Sequence, residues 1–115
     1  MSFKKNEPEG FQKICSIKDL HENAGKRFIV SNTEIAVFLI KNKIYAVSNI
    51  CPHQHTTLIY DGFIENGYVV CPAHGWMFNL KTGKTSEGGN GLEVYKTIVV
   101  DEQVYVKVEE KKYSW

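Results

Sequence analysis

Short runs of β-branched and aromatic residues, separated by polar turns, set the rhythm of the chain up to residue 48 and again from residue 92. The runs at 11–17, 28–30, 34–40 and 44–48 have the length and composition of strands. Lys41, Asn42 and Lys43 place a polar turn between the last two, so 34–48 is predicted to be a β-hairpin. Residues 92–100 and 104–109 repeat the arrangement around a turn at 101–103. One segment has a helical signal: 18–24, closed by Gly25, predicts a short turn or helix of about two turns at most.

Between these scaffolding runs the apolar density falls and turn residues accumulate, in NICPHQH, YDGF, ENGY, CPAHGW and LKTGKTSEGGNG. Only 62–64 and 68–71 read as strands there. Loops this long inside a small domain usually carry function, because their backbone groups need an ordering partner other than a sheet. The expected organisation is an all-β single domain over residues 1–115, with a loop-rich insert at about 49–82.

Composition narrows the chemistry mainly by exclusion. Apolar residues make up 43% of the chain and charged residues 23%, and the net charge of +1 gives no pull toward nucleic acid or a membrane surface. The first ten residues are polar and no run is long enough to span a bilayer, so a cytoplasmic location is expected. In a reducing compartment, cysteines close to histidines are more plausible as metal ligands than as halves of a disulfide. Cys51 and Cys71 are so placed, whereas Cys15 lies within a predicted strand and reads as a small buried apolar residue.

The insert holds Cys51-Pro52-His53 and Cys71-Pro72-Ala73-His74-Gly75-Trp76, separated by the seventeen residues 54–70. Each loop offers one thiolate and one imidazole. A single zinc ion accepts two cysteines and two histidines, but zinc cysteines usually come as a close pair from one knuckle. The mixed loops suit a two-iron cluster with unlike irons, two cysteines on one and two histidines on the other. Asp61-Gly62 and Asn66-Gly67 are turn dipeptides that let the connection double back. Pro52 and Pro72 stiffen the loops, and amides along 53–55 and 73–75 are candidate donors to the added charge of a reduced cluster, with Gly75 permitting close approach.

The Cys-x-His, seventeen-residue, Cys-x-x-His pattern, in the contexts CPH and CPAHGW, resembles the Rieske family. The resemblance implies stacked antiparallel sheets with a small loop-rich cluster-binding subdomain and one 2Fe-2S cluster. It implies further that Cys51 and Cys71 hold the inner iron while His53 and His74 hold the outer iron near solvent. High-potential members carry a disulfide where this chain has Thr56 and Ala73, and Ser and Tyr hydroxyls where it has Trp76 and Phe78. Neither Trp76 nor Phe78 can donate an O–H bond, and their bulk is expected to pack the cluster region. A potential near the low end of the Rieske range is therefore expected, about −150 mV rather than about +300 mV.

These features resemble the soluble ferredoxins that pass electrons from a flavin reductase to an oxygenase, so the chain is expected to be a carrier without catalytic residues of its own. Two alternatives stand beside this reading: the small subunit of an assimilatory nitrite reductase, and a zinc-stabilised interaction module. A catalytic oxygenase would need a further domain for its mononuclear iron. Two features depart from the family pattern, His55 and the glycine-rich, proline-free loop 85–92. His21 and His55 are expected to be exposed non-ligands, and Lys81 and Lys84 to be solvated turn charges.

Overall fold

The computed structural model describes residues 10–51, 56–72, 75–85 and 91–108. Nine strands are present among them: β1 (Gln12–Ser16), β2 (Ala24–Val30), β3 (Thr33–Ile40), β4 (Lys43–Ser48), β5 (Phe63–Glu65), β6 (Tyr68–Val70), β7 (Met77–Asn79), β8 (Val94–Val100) and β9 (Gln103–Lys107). They form a six-stranded sheet in the order β1-β9-β8-β4-β3-β2 and a three-stranded sheet in the order β5-β6-β7. All their pairings are antiparallel. The all-β expectation holds.

Local chemistry explains the connections. Ser31-Asn32, Lys41-Asn42, Asn66-Gly67 and Asp101-Glu102 each join two paired strands, and both residues of every pair have positive φ. That is the signature of the two-residue turn whose twist matches a hairpin, and Asn and Asp tolerate it well. The turns expected at 41–43 and 101–103 are thus one residue tighter, because Lys43 and Gln103 already pair within β4 and β9.

Of the short turn or helix expected at 18–24, only a turn forms, at its start. A single 3-10 turn, Ile17–Asp19, is closed by a capping box in which Ser16 Oγ accepts from the Lys18 amide and Asp19 Oδ2 accepts from the Ser16 amide. Leu20 then turns extended and is buried. Gly25 is not a helix stop but part of β2, paired with Phe38. It must be glycine because a Cβ there would lie 2.4 Å from the Tyr60 carbonyl oxygen and 2.5 Å from Phe38 Cε2. Strand β2 is therefore longer than the predicted 28–30.

Two cores lie on opposite faces of β3, whose Ile35, Ala36, Val37 and Phe38 are all fully buried. Successive side chains of a strand point to opposite faces. Ile35 and Val37 accordingly join Cys15, Ala46, Val104 and Val106 in one cluster. Ala36 and Phe38 join Val47, Ile59, Val69, Phe78 and Leu80 in the other, which also contains Cys51 and Cys71. The second core is where the scaffold meets the three-stranded sheet.

Candidate functional site

Cys51 follows β4 and Cys71 follows β6, and each starts a loop closed in the same way. The Cys51 amide donates to the Thr56 carbonyl at 2.9 Å, and the Cys71 amide donates to the Trp76 carbonyl at 2.8 Å. Four residues lie between donor and acceptor in both. The two cysteines are 1% exposed and belong to the same apolar cluster, so the fold brings both predicted thiolate ligands to one buried place. Neither is in a disulfide. His53, His55 and His74, with Pro52 and Ala73, lie outside the described residues. So does 86–90, most of the glycine-rich loop.

Gly75 has a φ of +77°, a conformation that favours glycine, and a Cβ on it would meet no described protein atom within 4 Å. Its amide, expected to face the cluster, is engaged with the Cys71 carbonyl at 2.8 Å and so tightens the loop that carries the thiolate. Trp76 and Phe78 behave as expected of packing residues. Phe78 is fully buried beside the cysteines, and Trp76 packs against the same cluster from its edge.

A buried polar network braces the first loop from below. Asn49 is fully buried, two residues before Cys51. Its Nδ2 donates to Glu34 Oε1 at 2.9 Å and to the Thr57 carbonyl at 3.2 Å, while Oδ1 accepts from the Tyr60 amide at 2.8 Å. One side chain thereby ties the end of β4 to the returning segment 57–60. Arg27 closes the network from β2, donating Nε–H to Glu34 Oε1 at 2.8 Å and pairing with Oε2 through its terminal nitrogen. Hydrogen bonding from Arg27, helped by Asn49, holds the Glu34 carboxyl down at about 2. Asn49 and Glu34 were not among the residues singled out from sequence, because a lone Asn after a strand and a Glu at a strand start carry no periodic or motif signal.

The remaining candidates fall elsewhere. Cys15 lies in the opposite core, where burial pushes its thiol pKa up, as befits an inert apolar residue. His21, Lys81 and Lys84 are exposed. Among the described residues no group of three or more His, Cys, Asp or Glu side chains could hold a metal ion, and no helix is long and apolar enough to cross a membrane. One polar atom is left over. The buried Oγ of Thr56, at the closing end of the Cys51 loop, has no hydrogen-bond partner.

Residues 10–107 match the model of the Rieske-like 2Fe-2S domain. The anthranilate 1,2-dioxygenase ferredoxin subunit of Burkholderia cepacia is 32% identical over 97 residues, which cover 83% of this chain and 89% of that protein. The ferredoxin in the complex of reduced oxygenase and oxidized ferredoxin of carbazole 1,9a-dioxygenase is 28% identical, with a TM-score of 0.74 over 83% of this chain and 99% of that one. The nitrite reductase [NAD(P)H] small subunit of Erwinia carotovora has the same fold at 22% identity, with a TM-score of 0.77 over 94% of this chain and 88% of that one.

Proposed function

Since this chain belongs to the Rieske-like 2Fe-2S family and its cofactor is a 2Fe-2S cluster, we propose that it shuttles single electrons from a flavin reductase to an oxygenase in a reducing compartment. We propose Cys51 and Cys71 as the thiolate ligands and His53 and His74 as the imidazole ligands. The observation that carries this reading is the meeting of Cys51 and Cys71, one from each loop, in a single buried cluster.

The residues present fit such a group. Thiolates are the ligands that iron–sulfur clusters use, and none of the three cysteines is in a disulfide. The leftover Thr56 hydroxyl is a buried polar atom at the right loop, with no hydrogen-bond partner among the described residues. When bound, the cluster supplies one-electron oxidation and reduction. The chain's part is to hold it rigidly and set its energy. The closed loops, the Asn49 network and the packed Phe38, Phe78 and Leu80 limit rearrangement around the cysteines. Trp76 and Phe78 offer no O–H donor, which favours a potential in the lower part of the Rieske range, nearer about −150 mV than about +300 mV.

The oxygenase reading draws support from the ferredoxin subunit and the ferredoxin–oxygenase complex similar to this chain. It is tested by supplying the chemically reduced carrier to the terminal component of a ring-hydroxylating oxygenase and counting product per electron delivered. Coupled turnover is expected. Electron delivery to the large subunit of a nitrite reductase, with none to the oxygenase, would replace this reading with the nitrite reductase one.

A further inference from the structure

Thr56 is held in place from three directions. Its carbonyl accepts the Cys51 amide at 2.9 Å, which closes the loop. The next residue, Thr57, gives its carbonyl to the buried Asn49. Its β-branched side chain has few rotamers, so the hydroxyl cannot swing freely in search of solvent. Yet Oγ is buried and has no partner. A hydroxyl can donate one hydrogen bond and accept two, and a native structure seldom leaves one buried and wholly unsatisfied. No described residue satisfies it.

We propose that the Thr56 hydroxyl donates a hydrogen bond to the iron–sulfur group and raises its reduction potential. This rests on the reading that Cys51 and Cys71 are the ligands. One-electron reduction adds negative charge to a desolvated site, and a donor fixed before the electron arrives stabilises that charge. Among the described residues, Trp76 and Phe78 have no hydroxyl and the Gly75 amide is engaged with the Cys71 carbonyl. A single added donor has a measurable effect, and Thr56 acts as a potential-setting residue.

The test is the midpoint potential of the cluster-loaded protein and of Thr56→Val, which keeps the shape and removes the hydroxyl, with Thr56→Ala measured beside it. Loss of the donor is expected to cut the equilibrium constant for reduction about tenfold, about 59 mV for a one-electron couple. Thr56→Ser should keep most of the wild-type potential. Double-resonance spectra of the reduced protein after transfer to D2O should show an exchangeable proton coupled to the cluster that Thr56→Val lacks and Thr56→Ser retains. An unchanged potential in both Thr56→Val and Thr56→Ala, with the cluster spectrum intact, would overturn the proposal and leave the ligand reading standing. Absence of a Rieske spectrum from the wild type would overturn both.

Discussion

Glu34 shows how a side chain outside the predicted ligand set bears on the loop that starts at Cys51. Its carboxyl sits at about 2 because Arg27, and then Asn49, donate to it. A folded pKa below the ordinary 4.5 means that the charged form stabilises the fold at neutral pH. That contribution is complete above about 4.5 and is lost as pH falls from there through about 2. Urea unfolding at pH 7 and pH 3 should therefore show a fall in stability that Arg27→Gln makes smaller, because the variant's carboxylate titrates nearer its ordinary value. Equal falls in the two proteins would mean that the pair does not couple to folding. At this scale Cys51 and Cys71, which the fold buries together, were legible as candidate ligands from residue type and spacing alone, since few side chains bind soft metals. Asn49 was not, for its role depends on bonds to Glu34, Thr57 and Tyr60, which only the folded chain brings together.

Strands were read best where two features agreed. In β3 and β4 an apolar run meets a two-residue turn at Lys41-Asn42, and both strands were found close to their predicted bounds. Where one feature was missing the reading failed. Strand β2 is an edge strand, and an edge tolerates exposed side chains such as Lys26 and Arg27, so its sequence lacks the apolar density of a central strand. Strand β7 is three residues long and falls among turn residues, too short for any period to appear. The segment 18–24 was read as helical because Gly25 resembles a helix stop, whereas its real constraint is the Tyr60 carbonyl pressed against β2. Gly25→Ala should therefore cost roughly 1–3 kcal/mol, the range for forcing a methyl group into a filled space, measured by equilibrium denaturation. A neutral effect would show that β2 and the turn at Ile59–Asp61 separate easily, which the close approach argues against.

Across the whole molecule, β3 is a wall between two cores, one that consolidates the six-stranded sheet and one that buries the cysteines against the three-stranded sheet. The continuous apolar run 35–40 is what a strand buried on both faces requires. Sequence alone made the two loops visible but not the shared core beneath them, because Ala36, Phe38, Val69 and Leu80 come from distant parts of the chain. An electron carrier gains from this arrangement: a well-packed floor under the thiolates leaves little to rearrange when charge is added. On the proposed reading, this floor supports a cluster ligated by Cys51, His53, Cys71 and His74. The most direct measurement is the visible absorption and the reduced-state paramagnetic resonance of the purified iron-loaded protein, taken with His53→Ala, His74→Ala and His55→Ala. The wild type and His55→Ala should give a Rieske spectrum, and His53→Ala and His74→Ala should lose it. A colourless wild-type protein containing zinc, or loss of the spectrum in His55→Ala with retention in His53→Ala, would contradict the account.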